Sequence, residues 1–471
     1  MFDVLDQQTR LTGHQIRLAV VAAWAICLEF LDFFLIGFIL TFVAGPWHLT
    51  MVQSSVILLS SGLGAIFGAI YFGRPADKLG RRKVFLITIA VFTLATAALA
   101  LTPASPTIGY AYLVLFRVVV GFGGGGLYVV DLPLVQEFMP TSKRGRVSGL
   151  VTSAVPLGFL LGSVLVWTLS GAIGWRGVLW VSAALGCTVF FMRISIPESP
   201  VFRARQGDVE GARRSIAWAL KVDPGTLSPE VPEQLLENKK ASFRELLAYP
   251  RSFWASVLSN LGAQTGYYGL ALWTPTLLIL VVGISPAQSA QYMIAVTLGA
   301  LAGRLVLSYL SERIGRRATG GIAGTGAAVL LIVAALANDM TFMGVSIFFV
   351  LLIAIYFFGE GGFAIVGPYS AEVWPSHLRT TGMGFAYGIG GIGKVIGPLG
   401  LGLMLGSVNL VKPALTETNL VPGFAYFAAW YLLCAAMFVF VGFETKNKSL
   451  VQIEDTVVQP SEARETNGAN V

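Results

Sequence analysis

Long apolar runs constrain this chain more than any other feature. About twelve of them follow one another, at 17–44, 53–77, 83–102, 108–138, 144–171, 175–196, 252–282, 287–312, 318–338, 342–371, 379–408 and 422–443. A helix needs about 20 mostly apolar residues to cross the hydrocarbon core. Lipid offers no partner to backbone N–H and C=O groups, so such runs must be helices. Composition agrees: 55% of residues are hydrophobic and 12% charged, against roughly 25% charged in an ordinary globular domain. The expected fold class is therefore an all-α membrane protein of about twelve spanning helices. A net charge of +7 does not signal nucleic acid here, because the basic residues sit in short loops between spans, where they set topology.

One set of loops holds Lys78, Arg81, Arg82, Lys83, Lys143, Arg144, Arg146, Arg313, Arg316, Arg317 and Arg379; the other holds little beyond Arg176 and Lys412. The basic side is expected to be cytoplasmic. An even number of spans then puts both termini there, and the first span reads as an uncleaved anchor. The division by sequence is a six-span bundle over 1–196, a polar cytoplasmic linker over 197–250, a second bundle over 251–443 and a polar tail over 444–471. Within the linker, "VEGARRSIAWALK" has helical apolar spacing, and the tail has no periodicity and reads as disordered. Cys27, Cys187 and Cys434 lie in apolar runs with no metal or disulfide spacing.

The two bundles repeat one another at a constant offset of 235 residues. Gly68, Asp77, Gly80, Arg81, Arg82, Pro133, Glu137, Arg144 and Gly158 match Gly303, Glu312, Gly315, Arg316, Arg317, Pro368, Glu372, Arg379 and Gly393. Transporter folds are built from such repeats, with the site near mid-membrane. Charges present in both halves read as scaffold or gate. Charges present in one half read as site chemistry. Glu29 faces Gln264, Asp32 faces Tyr267, Arg117 faces Leu352, Glu360 faces Gly125 and Lys394 faces Phe159.

Several stretches resemble the major facilitator superfamily. "GRPADKLGRRK" (73–83) and "SERIGRR" (311–317) are similar to its signature loop, "RVVVGFGGGG" (117–126) to its span-four motif, and "EFMPTSKRG" (137–145) and "EVWPSHLRT" (372–380) to its paired Glu-Pro-Arg elements. "PESP" (197–200) and "ETKNKSL" (444–450) resemble the ends of spans six and twelve in its sugar-porter branch and relatives. The resemblance implies two pseudo-symmetric six-helix bundles and alternating access. "NLGAQTGYYGLALW" (260–273) keeps Gln264 but lacks the double Gln of sugar porters. The acidic pair in span one is closer to the aromatic acid and metabolite:proton symporters.

Carboxylates inside a span cost roughly 2.5–3.5 kcal/mol on insertion scales and mark function by default. Glu29 and Asp32, three residues apart, share a helix face. Two such groups cannot both ionise cheaply, so one tends to hold a proton, as a proton-coupling site requires. By the resemblance, Arg117 neighbours Asp32: a proton on Asp32 frees Arg117, or else the two form a permanent structural pair. Lys394 in "GGIGKVIGPLG" either meets a substrate carboxylate or bridges to Glu360. Gln264, Tyr128, Tyr267, Tyr268, Trp273, Tyr356 and Tyr387 are candidate substrate-lining residues. Arg304 and Asp131 lie nearer the cytoplasmic ends of their spans and carry little weight on spacing alone. Gly73, Asp77, Gly80, Arg81, Arg82, Glu137, Arg144, Glu198, Glu312, Arg316, Arg317, Glu372, Arg379 and Glu444 are expected to form a cytoplasmic gate.

His14, His48 and His377 are scattered, and "GFGGGG" (121–126) lacks the Lys-Ser/Thr ending of a phosphate loop. No enzyme, metal site or cofactor is expected, only the proton as coupling ion. The expected function is proton-coupled symport of a small organic anion, such as an aromatic carboxylate, by a monomer in the inner membrane. The alternatives are sugar or polyol symport, drug or metabolite efflux, and a receptor that binds solute without moving it.

Overall fold

A computed structural model describes residues 1–231, 243–375, 378–405 and 420–446. Lys412, His377 and the tail from 447 onward lie outside the described residues, as do the side chains of Asp77 and Tyr128. Eleven described helices are long and apolar enough to span a membrane. Spans one to four are Gly13–Val43, Met51–Leu79, Arg81–Ala100 and Pro106–Glu137. One 54-residue stretch, Thr141–Ile194, would reach about 80 Å at 1.5 Å per residue, far more than one bilayer. It breaks at Gly174, whose φ of 67° and ψ of 173° are not helical, and so holds spans five and six end to end. Spans seven to ten are Pro250–Val282, Pro286–Ile314, Arg316–Leu336 and Ile347–Glu372. Span eleven is Arg379–Gly391 followed by Gly393–Leu405, and span twelve is Val421–Ala436 extended by a π-turn, Met437–Val441.

Span ten starts later than hydropathy predicts. Thr341–Phe342 and Val345–Ser346 pair as a two-stranded hairpin instead. Met343 (φ 51°) and Gly344 (φ 79°) form its turn, and positive φ at both central residues is what a tight hairpin of right-handed twist demands.

The described chain divides into two compact units, one of residues 1–35 with 60–239 and one of residues 36–59 with 240–471. Inside each unit the repeat is geometric as well as sequential. A Cβ on Gly64 or Gly68 would meet the carbonyls of Val118 and Phe122, so spans two and four touch backbone to backbone. In the second unit Gly299 and Gly303 stand in the same relation to Ile353 and Phe357, each 235 residues on. Small residues at such spacing let spanning helices approach closely where lipid provides no hydrophobic drive.

In the first unit the linker forms a satellite core. Ser199 caps the helix Pro200–Arg205, and Asp208 caps Val209–Leu220 by accepting from the Gly211 N–H. That backbone bond and the Arg203 guanidinium hold the exposed Asp208 carboxyl below the usual carboxylate range. Ala212, Ile216 and Ala217 pack with Ala204, Leu227, Met1 and Leu5, the last from the short helix Phe2–Asp6. Trp218 stacks on His14, ring centroids 4.7 Å apart.

Gly80 and Gly315 close the tight turns ahead of spans three and nine, at φ 97° and 103°. A Cβ at either would strike a carboxylate oxygen, of Glu198 or Glu444 respectively. Gly80→Ala should destabilise the purified transporter by about 1–3 kcal/mol through backbone strain, read as a lower midpoint of thermal unfolding in detergent. An unchanged midpoint would show that the turn relaxes freely.

Candidate functional site

The buried chemistry of the first unit centres on span one. Asp32 and Arg117 are both 0% exposed, and the Arg117 Nη1–Asp32 Oδ2 distance is 2.8 Å. Arg117 also donates to the carbonyls of Asp32 (3.0 Å) and Phe33 (3.3 Å), while the Thr96 hydroxyl donates to Asp32 Oδ1 at 3.2 Å. A pair this dry persists only when hydrogen bonds fill the remaining valences. Glu29 is buried one turn away, with Oε1 3.4 Å from where a Cβ on Gly124 would stand. Glycine at 124 therefore leaves room for a carboxylate against span four.

A second buried pair occupies the second unit. Arg304 Nη1 lies 2.5 Å from Glu360 Oε1, with side-chain exposures of 15% and 1%. The countercharge recorded for Glu360 is thus Arg304, a residue that spacing alone left near the cytoplasmic end. At 1.5 Å per residue, Arg304 sits about 15 Å inside the end of span eight, too deep for its head group to reach water easily. Lys394 instead carries its ammonium 4.9 Å from the centre of the Tyr268 ring. Two residues before Lys394 the ladder of span eleven tightens, the Ile392 N–H donating to the Ile389 carbonyl three residues back at 3.1 Å.

The other aromatic candidates divide by role. Trp273 is buried and donates to the Pro398 carbonyl at 3.0 Å, and Tyr356 donates to Thr274 at 2.8 Å. Both spend their polar atoms on packing. Tyr267 meets Tyr268, Tyr356 and Phe363 edge to face. Gln264 is buried and reaches the Tyr387 carbonyl at 3.4 Å.

The expected gate residues form the same circuit in each unit. Glu198 accepts from the Arg82 backbone N–H at 2.9 Å, as Glu444 does from Arg316 N–H at 2.9 Å. Ser199 donates to Glu137, as Thr445 donates to Glu372 at 2.5 Å. Arg81 pairs with Glu137 at 2.8 Å, and Arg316 with Glu372 at 3.5 Å and Glu312 at 2.8 Å. Arg144 and Arg379 donate to the carbonyls of Met139 and Ala371. Arg82 caps the Ile194 carbonyl, and Arg317 caps those of Phe438 and Val439. Every one of these contacts lies inside one unit. Gly73 makes no close approach, since a Cβ there would meet nothing within 4 Å.

Spacing alone gave Arg304 and Asp131 little weight and did not single out Arg193, and the structure places all three within spans. The signal was present, because Arg304 faces Ala69 and Asp131 faces Val366 across the repeat. Asp131 and Arg193 are both fully buried in the first unit and act on each other electrostatically.

Two repeats of one spanning plan, each with a carboxylate–arginine pair buried within its spans, define a membrane transporter rather than an enzyme. The chain belongs to the Major Facilitator Superfamily, whose family model matches residues 22–398 and, in a second match, 282–463. It is similar to the niacin transporter NiaP of Acinetobacter baylyi, 28% identical over 90% of this chain and 92% of that protein. It is also similar to a putative niacin/nicotinamide transporter of Bacillus subtilis (27%, covering 93% and 98%) and to the cis,cis-muconate transport protein of Acinetobacter baylyi (24%, covering 92% and 95%). Among solved structures, the inward-open xylose transporter XylE of E. coli matches with a TM-score of 0.73 at 15% identity, over 94% of this chain and 100% of that one. That likeness concerns the fold alone.

Removing one member of a buried pair leaves a charge uncompensated and costs about 3–5 kcal/mol, whereas replacing both by apolar residues is often neutral. Arg304→Met alone should therefore lower the unfolding midpoint sharply, and Arg304→Met with Glu360→Met should recover most of the loss. A double variant no more stable than the single one would mean the two charges do not compensate each other.

Proposed function

We propose that this transporter is a proton-coupled symporter of a small organic anion, most closely a flat unsaturated or aromatic carboxylate. It works by alternating access in the inner membrane, as a monomer with both termini cytoplasmic. The observation that carries the reading is the Asp32–Arg117 pair, 2.8 Å apart and fully buried. A proton on Asp32 cancels the charge that holds Arg117, and loss of the proton restores the bond. The protonation state of one residue thereby selects between two arrangements of span one against span four. A ligand or ion shifts such an equilibrium only through its differential affinity for the two states, and a buried charge pair provides a large difference.

The anion is argued from Lys394 and Tyr268. A cation held over a ring face presents a carboxylate with a positive partner and a flat acid with an aromatic neighbour. The relatives that carry niacin and cis,cis-muconate in their names support an acid over a sugar. Trp273 spends its indole N–H on the Pro398 carbonyl, which removes one group that a sugar would use. In each unit the end circuit around Glu198 or Glu444 stabilises one conformation. Exposed ion pairs are worth about 0–1 kcal/mol each, enough in a network to bias states separated by a few kcal/mol.

The test is uptake by purified protein in liposomes under an inward proton gradient. Aromatic acids, aliphatic acids and sugars are compared side by side. Asp32→Asn should abolish accumulation above the equilibrium level for the preferred acid, and undiminished accumulation would refute the proton role. Lys394→Ala should raise the half-saturating concentration of the acid about tenfold or more, in keeping with the 1.5–3 kcal/mol of a charged hydrogen bond. An unchanged value would make Lys394 a packing residue.

A further inference from the structure

Span four carries more polar machinery on one face than the Asp32–Arg117 pair needs. Arg117, Gly124 and Asp131 are spaced by seven residues, two helical turns or about 10 Å at each step. All three project within about 40° of one another around the helix. The first meets Asp32, the second leaves room for Glu29, and the third ends the series six residues before Glu137. Glu29 lies one turn from Asp32 in the same direction along span one. Three carboxyl groups thus line one side of span four, from mid-membrane to the end circuit.

Asp131 is fully buried, and neither carboxyl oxygen has a hydrogen-bond partner among the described protein atoms. The same holds for all three guanidinium nitrogens of Arg193, whose plane lies 4.4 Å from the centre of the Phe85 ring. Arg193 also feels Glu198 and Arg82 of the end circuit. Buried charged groups are hydrogen-bonded almost without exception, and water bridges them where protein does not. Packing does not require charge at this place. The matching residue to Asp131 in the second half is Val366, buried, and where Arg193 lies over Phe85 the second half packs the buried Phe438 against Gly320, 235 residues on from Phe85.

We propose that span four carries a water-bridged proton relay, Asp32 to Glu29 to Asp131, with Arg193 as countercharge to Asp131 and the Glu137 end as exit. This rests on the proton-coupled reading above. In each cycle the Asp32 carboxylic acid gives its proton to bridging water, and Asp32 re-forms its bond to Arg117. The proton passes to the Glu29 carboxylate, then to the Asp131 carboxylate, and leaves to bulk water. Each carboxylate returns to its starting charge, and no electron moves.

The experiment compares three variants with the wild type in liposomes: Asp131→Asn, Asp131→Glu, and Asp131→Val with Arg193→Val, which removes both charges together. Nicotinate and benzoate are the probes. Proton-driven accumulation, internal pH and gradient-free exchange of labelled for unlabelled acid are all measured. The expected result is that the Asn variant and the double variant exchange acid within about threefold of wild type. Their proton entry and driven accumulation fall by at least about tenfold, the scale of a lost proton-transfer group, and the Glu variant keeps both. Driven accumulation and proton entry at wild-type levels in the double variant would overturn the relay and leave the symport reading standing. Loss of exchange in step with accumulation in every variant would also overturn it, assigning the pair to conformational change. A wild type that takes up acid without proton entry would remove the symport reading itself.

Discussion

The burial of ionised side chains inside spanning helices is the constraint on which the rest of the structure turns. Asp32 and Arg117 share no solvent, and taking two such ions out of water costs several kcal/mol each after relaxation. The chain meets that cost locally. Thr96 donates to the carboxylate, and the Asp32 and Phe33 carbonyls accept from the guanidinium. Those contacts fix span one against spans three and four. Change the charge on one oxygen and the whole arrangement loses its reason to persist, which is what a coupling site needs.

Around this constraint the duplicated scaffold is almost indifferent to chemistry. The Gly64 and Gly68 contacts recur at Gly299 and Gly303, and the Gly80–Glu198 turn recurs at Gly315–Glu444. Ser199 on Glu137 recurs as Thr445 on Glu372. Repetition marks what holds the helices. Departure from repetition marks what the transporter does, and the buried pairs Asp32–Arg117 and Glu360–Arg304 are both departures.

The spans and the repeat were legible because hydropathy and steric demands act locally. Apolar residues on both sides of Glu29 and Asp32, from Leu18 to Leu40, announce a helix whatever its neighbours. The hairpin at Thr341–Ser346 was not legible, since Phe342, Met343 and Val345 carry the apolar run of the following span back into it. The partner of Glu360 was not legible either. Arg304 and Lys394 both lie in apolar runs with small neighbours, and only the packing of span eight against span ten brings Arg304 to the carboxylate. Asp131 and Arg193 are 62 residues apart in the chain, and no periodicity connects spans four and six.

The central claim is that acid and proton cross together. Its most direct test is the steady-state accumulation ratio of labelled nicotinate in liposomes as the imposed proton gradient is varied stepwise, with protein-free vesicles subtracted for passive entry of the neutral acid. Coupling predicts a ratio that climbs with the gradient and a matching protein-dependent fall in internal pH. A protein-dependent ratio that stays at unity whatever the gradient would contradict the account.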